Sequence, residues 1–251
     1  MKIIAVIGSP RKGNTYHIVS LIEQEMQKLG SVEFEYVFLR ESSLEHCRGC
    51  LVCFGKGEEH CPIKDSREGI EQRLAQADGL ILASPVYALS VTSLMKNFLD
   101  RFAYIIHRPR FFGKYALVVS VTGAAFLKDT MKLMADNARY WGFDVVDRVG
   151  FVYNGGPVSD EMTARVQKAA LRFYGAISEQ RPYNPSLTHY IVFHLQRAFF
   201  SEPMDGFTRD HEYYLEKGWL EPKSRFYTDR IKFSPVKSTL ARIIAKAARK
   251  D

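Results

Sequence analysis

The chain is expected to fold as α/β: a doubly wound, parallel five-stranded sheet in the order 2-1-3-4-5, followed by an aromatic-rich, mainly helical extension. Three observations carry this expectation. Residues 1 to 180 alternate short apolar runs with longer amphipathic ones, the pattern of β-α units around a parallel sheet. Segments rich in small and polar residues follow the first, third and fourth apolar runs, at the edge where such sheets bind ligands. The composition, 46% hydrophobic and 25% charged over 251 residues, supports a sizeable core that needs no disulfide staple.

Each element has its own signal. The opening "KIIAVIG" has no basic leader or cleavage site and reads as the first strand, which predicts a cytoplasmic protein. In "YHIVSLIEQEMQKLG", Ile18, Ile22, Met26 and Leu29 recur at helical spacing, and Gly30 stops the helix. "VEFEYVFL" is the second strand. After a cysteine segment at residues 46 to 62, "REGIEQRLAQADGLILASPVY" supplies a helix and the third strand. "SVTSLMKNFLDRF" stacks Leu94, Phe98 and Phe102 on one helical face, and "YALVVSVTG" is the fourth strand. Leu127, Met131, Met134, Ala138 and Trp141 mark a helix, and "FDVVDRVGFVY" is the fifth strand. Met162, Val166, Ala169, Phe173 and Ile177 stripe a last helix capped near Ser159.

Composition shifts at about Arg181. Prolines and aromatics recur from there to about Pro235, too apolar for a disordered linker, so residues 181 to 251 are expected to form an ordered extension on the domain of residues 1 to 180 or on a second subunit. Its tail places Leu240, Ile243, Ile244 and Ala247 on one helical face and Arg242, Lys246, Arg249 and Lys250 elsewhere. That apolar face is small, so the tail is expected to dock on protein and not to lie on an anionic membrane as a peripheral contact. The net charge of +7 is diffuse apart from the tail and Arg108 to Arg110, which argues against a nucleic-acid partner. No run of about twenty apolar residues spans a membrane.

"GSPRKGNTY" joins the first strand to the first helix, so Ser9 to Thr15 lie at a helix N-terminus, where free N–H groups and the helix dipole favour anions. Ser9, Asn14 and Thr15 add short donors, Gly13 admits a ligand close to the backbone, and Arg11 can pair with a phosphate in bidentate fashion. The spacing is neither G-x-x-x-x-G-K-[ST] nor G-x-G-x-x-G. A well-capped polar turn is the plain alternative.

Together "GSPRKGNT", "ADGLILASPVYALSVTSLMKNFLDR" and the "TG" after the fourth strand resemble the NADPH-dependent FMN reductase group of flavodoxin-like proteins, over roughly residues 1 to 180. The resemblance implies FMN, with its phosphate on Ser9, Arg11, Gly13, Asn14 and Thr15. It sets the isoalloxazine ring between Pro85, Val86, Tyr87 and Ala88 on one side and Thr122, Gly123 and Ala124 on the other. Strand-end amides and the Tyr87 ring suit that polar edge and flat face, although Tyr87 alone reads equally as a half-buried core aromatic. The loop is one residue shorter than in many members of the group, which bears on Arg11 more than on Asn14 or Thr15.

The chain's four cysteines all lie in "HCRGCLVCFGKGEEHCP". Cys47, Cys50 and Cys53 have the C-x2-C-x2-C spacing that wraps a cubane cluster, and Cys61 is followed by Pro62 like the remote cysteine of bacterial ferredoxin motifs. Gly49, Gly55 and Gly57 free the backbone to wrap it, and Arg48 and Lys56 offset thiolate charge. Other readings stay open. Zinc could take the thiolates, with His46 or His60 replacing one. Cys50 and Cys53 could form a redox dithiol, although no helix start is evident there, or all four thiols could hold nothing.

The motif and its place after the second strand resemble the iron-sulfur flavoproteins, a branch of the same group. That resemblance implies a [4Fe-4S] cluster on Cys47, Cys50, Cys53 and Cys61, electron transfer between it and FMN, a partner such as ferredoxin or a small-molecule acceptor, and a homodimer or homotetramer. The expected function is an FMN-dependent oxidoreductase. The alternatives are an NAD(P)H-dependent FMN or quinone reductase without a cluster and a non-enzymatic electron carrier, the latter disfavoured by the basic charge and the extension. No catalytic acid or base is expected. His107, His189, His194 and His211 read as structural or solvated, and Asp65 and Asp100 as helix caps or surface ion-pair members.

Overall fold

The computed structural model describes residues 1 to 248; Arg249 and Lys250, two of the tail charges named above, lie outside them. Five parallel strands form the sheet: β1 (Lys2–Ile7), β2 (Glu33–Phe38), β3 (Gly79–Pro85), β4 (Tyr115–Thr122) and β5 (Asp144–Val152), in the order β2-β1-β3-β4-β5. The order is the expected one. Strands β1, β3 and β4 are buried nearly throughout because helices cover both faces, which is why they read as unbroken apolar runs.

In chain order the helices are α1 (Asn14–Leu29), α2 (Val52–Gly55), α3 (Arg67–Gln76), α4 (Ser93–Arg101), α5 (Tyr104–His107), α6 (Leu127–Tyr140) and α7 (Asp160–Ser178), then α8 (Leu187–Phe199), α9 (Thr208–Glu216) and α10 (Pro235–Ala247). Helices α1 and α7 cover one face through Ile18, Val19, Ile22, Val166, Ala169 and Phe173. Helices α3, α4 and α6 cover the other through Ile70, Leu74, Met95, Phe98, Met134 and Trp141. Ser159 caps α7 as expected, its hydroxyl accepting from Met162 N. Leu29 departs from the expected stripe: it lies in the last turn of α1 and is exposed, while Val19, outside that stripe, is buried nearer the start of the helix.

The extension is ordered around a third core of Tyr190, Phe193, Phe200, Tyr214, Trp219 and Phe226. The tail helix α10 corrects the expectation about its docking face. It packs on α8 through Ala241 and Ala245, both buried, while Val236, Leu240, Ile243 and Ile244 remain exposed. Small side chains let two helix axes approach closely, and that geometry overrides the larger apolar stripe.

Candidate functional site

At the carboxyl edge the loops after β1, β3 and β4 lie side by side. Thr92, which caps α4, donates to Gly8 O at 2.5 Å, and Gly8 N donates to Ala83 O at 2.8 Å. Gly8 is needed there, since a Cβ would stand 2.8 Å from that of Met95. The loop then folds back on itself, with Ser9 Oγ donating to Arg11 O at 2.7 Å. No side chain caps α1, so its first-turn amides are free to meet an anion. Ser9 and Thr15 are buried, Gly13 and Asn14 half-buried and Arg11 exposed. Asn14 Nδ2 donates to Tyr153 O at 3.0 Å, tying the loop to the end of β5.

Val86 N donates to Val121 O at 2.9 Å, so the second loop leaves the sheet in register with β4. Tyr87 and Ser90 exchange backbone hydrogen bonds of 2.8 and 3.0 Å, which closes a tight turn through Ala88 and Leu89, both with positive φ. Pro85 and Val86 are half-buried, Ala88 exposed, and Tyr87 46% exposed, more open than a core aromatic. In the third loop Thr122 is buried and accepts from Ala124 N at 3.2 Å, Gly123 O accepts from Asn154 Nδ2 at 3.4 Å, and Gly123 and Ala124 are exposed. Sequence reasoning missed Leu89 and Phe126, which are 61% and 48% exposed at the same edge; Phe126 also has positive φ. An aromatic that closes "TGAAF" straight after a strand was the available signal. Left-handed backbone in non-glycine residues is costly and clusters at ligand sites.

The cysteine segment lies along α4, which begins beside the first loop. Asn97 on α4 accepts from Cys47 N at 3.2 Å and donates to Leu44 O at 3.1 Å. Gly49 and Leu51 adopt left-handed backbone on either side of Cys50 and turn the chain there. One turn of helix, α2, follows and carries Cys53, where no helix start was expected; its stability comes from packing against α9, outside the segment. All four cysteines line one cavity of about 320 Å³, together with Leu51, Phe54, Arg67, Arg101 and Tyr104. Among the described residues no three Cys, His, Asp or Glu side chains come close enough to clasp a single metal ion. Burial pushes the Cys53 thiol up to about 11. Burial also raises that of Cys61, but the hydrogen bond of Arg101, the backbone of Ile63 and the charges of Arg101 and Arg67 together outweigh it and bring the net value down.

Behind the cavity lies a charged network that the sequence did not disclose. Asp65 and Arg101 pair at 2.8 Å with side chains only 3% exposed, so Asp65 belongs to a buried ion pair and not to the surface; Asp100 pairs with Lys96 in solvent as expected. Nor do Arg108 to Arg110 form a basic surface patch. Arg108 is fully buried, paired with Asp210 of α9 and with Glu58 at 2.7 Å, and it donates to Cys53 O at 2.7 Å. Arg110 bridges Glu58 and Glu71, both at 2.7 Å. Burial raises the Glu58 carboxyl, but Arg110 and Arg108 prevail and hold it near about 2. His107 meets Asp210 at 2.7 Å and packs against Phe54 with tilted rings 4.5 Å apart, a structural role as expected.

Residues 1 to 154 match the family described as NADPH-dependent FMN reductase. An iron-sulfur flavoprotein of Archaeoglobus fulgidus is 30% identical over 223 residues, 88% of this chain and all of its own. One from Clostridioides difficile is 28% identical over 188 residues, 72% of this chain and 81% of its own. Among solved structures, RosB with bound 8-demethyl-8-formylriboflavin-5′-phosphate shares the fold at TM-score 0.58 and 14% identity, over 94% of this chain and 93% of that one. That likeness, which concerns the fold alone, reaches into the C-terminal helices. The chain belongs to the NADPH-dependent FMN reductase family of flavodoxin-like, FMN-dependent oxidoreductases, in its iron-sulfur flavoprotein branch.

Proposed function

We propose that the chain holds FMN across its three carboxyl-edge loops and a [4Fe-4S] cluster on Cys47, Cys50, Cys53 and Cys61, and exchanges electrons with a redox partner or a small acceptor. The observation that supports this reading is that all four thiols line one cavity of about 320 Å³. The C-x2-C-x2-C spacing of three of them suits a cubane better than zinc, which is usually held by two separated pairs. The names of the relatives from Archaeoglobus fulgidus and Clostridioides difficile agree. When bound, FMN exchanges electrons singly or in pairs and a cluster exchanges them singly, so the two together convert between those regimes.

The chain's own residues do the rest. The uncapped start of α1, with Ser9, Arg11, Gly13, Asn14 and Thr15, takes the phosphate. Pro85, Val86, Tyr87 and Ala88, with Thr122, Gly123 and Ala124, would hold the ring, and exposed Leu89 and Phe126 would limit its contact with water. Helix α4 touches both proposed regions: its cap Thr92 donates to Gly8 O, and Asn97 in its body accepts from Cys47 N. The two anchors are five positions apart, about 7.5 Å along the helix, so one element would set the separation of the two sites. Homodimer or homotetramer assembly, NAD(P)H or ferredoxin as electron donor and a cytoplasmic setting complete the proposal.

Purification without oxygen, followed by assay of flavin, iron and acid-labile sulfide per chain, tests it. The expected result is near-stoichiometric FMN with about four irons and four sulfides, the composition of one cubane. FMN without iron or sulfide would overturn the cluster, and direct bleaching of that flavin by NAD(P)H would then favour the cluster-free reductase.

A further inference from the structure

We propose that Arg101 sets the reduction potential of the cluster by holding a fixed, hydrogen-bonded positive charge against the sulfur of Cys61; this rests on the cluster reading above. Arg101 closes α4 with its side chain 3% exposed. Its Nη1 donates to Cys61 Sγ at 3.3 Å and its Nη2 to Asp65 Oδ1 at 2.8 Å, so the guanidinium lies between sulfur and carboxylate. Asp65 is itself immobilised, accepting from Glu45 N at 2.8 Å and Arg67 N at 3.1 Å. Arg101 lines the cavity, and its Nε is buried with no partner among the described residues.

The neighbouring cations are differently engaged. Arg67 lines the cavity, but its donors go to Glu71, the Tyr104 hydroxyl and Glu58 O. Arg108 is matched by Asp210 and Glu58, and Arg48 and Lys56 are exposed, where water screens them. Arg101 is therefore the cation directed at a thiol. A thiolate-ligated cluster is anionic and gains one negative charge with each electron it accepts. Hydrogen bonds to its sulfurs and nearby charge are the levers that move its potential. Burial strengthens both, because little water intervenes. Asp65 opposes the effect as a more distant counter-charge and fixes the guanidinium in place. Arg101 acts through Cys61 and is a tuning residue, not a catalytic one.

The test is an EPR-monitored redox titration of the anaerobically purified full chain, with the flavin potential read optically in the same samples. Arg101→Gln is expected to move the cluster potential to more negative values, Arg101→Lys to restore part of the shift, and the flavin potential to stay. Asp65→Asn, which leaves the arginine but removes its counter-charge, is expected to shift the cluster in the opposite direction and supplies the answer if Arg101→Gln loses iron. Iron-loaded variants that titrate like wild type, a flavin shift equal to the cluster shift, or the same sign for Asp65→Asn and Arg101→Gln would overturn the assignment. Wild-type protein without iron and sulfide would overturn the cluster reading itself, a result distinct from any of these.

Discussion

Asp210 has no solvent exposure and holds both Arg108 and His107. Removing one member of a buried ion pair leaves the other charge unpaired, at a cost of about 3 kcal/mol or more. Asp210→Ala is therefore expected to lower the unfolding free energy by about that amount in urea denaturation; a loss under about 1 kcal/mol would show that Glu58 alone suffices for Arg108. His189 gives a pH prediction. Its Nδ1 contacts the Tyr183 hydroxyl at 2.6 Å and accepts from Ser186 N at 3.2 Å, so the folded ring is neutral there. Burial, reinforced by Arg139, lowers it to about 4. Between pH 6.5 and 4 the unfolded chain binds a proton that the folded chain refuses. Stability is full above pH 6.5 and falls toward pH 4, by on the order of 2 kcal/mol after allowing for partial solvent access. In a pH series of melting curves His189→Gln flattens the decline within that window; an unchanged slope would assign it to other groups.

Element by element, what the sequence discloses depends on where the stabilising contacts lie. Strands β1, β3 and β4 and helices α6 and α7 announce themselves because burial imposes a local period, continuous in the strands and near 3.6 in the helices. The three carboxyl-edge loops are legible for a related reason, since each directly follows a strand end. Helix α2 is not, because its four residues lean on α9, far along the chain. The Asp65–Arg101 and Arg108–Asp210 pairs join residues 36 and 102 positions apart, and no local pattern marks them as buried. In α10 the period was read correctly and the docking face was not, because hydrophobicity ranks Leu240 and Ile243 above the alanines that fit the crossing. Leu240→Ser with Ile243→Ser is thus expected to change the unfolding free energy by less than about 0.5 kcal/mol. Ala241→Asp, which sets an unpaired charge against α8, is expected to cost more than about 2 kcal/mol. Guanidinium denaturation at matched protein concentration compares them, and the reverse ranking would return the docking face to the aliphatic stripe.

At the scale of the whole molecule, the core on the α3, α4 and α6 face and the core of the extension meet at the cysteine segment. The two sheet-face cores hold β1, β3 and β4 and with them the three carboxyl-edge loops. The third core, from the extension, meets the segment from behind: Phe207 packs 5.8 Å from both Phe54 and His107, and Asp210 fixes Arg108, which donates to Cys53 O. The segment thus lies between α4 on the domain side and α9 on the extension side, while the carboxyl-edge loops follow strands of the sheet itself. Loosening the α9 side should therefore act on the cysteines and spare the flavin. Phe207→Ala removes the aromatic bridge without touching a cysteine or a flavin loop, and it is expected to speed iron release to a chelator several-fold with flavin per chain unchanged. Iron release at the wild-type rate would show that α4 alone holds the segment; equal loss of flavin and iron would show that the extension supports the whole domain.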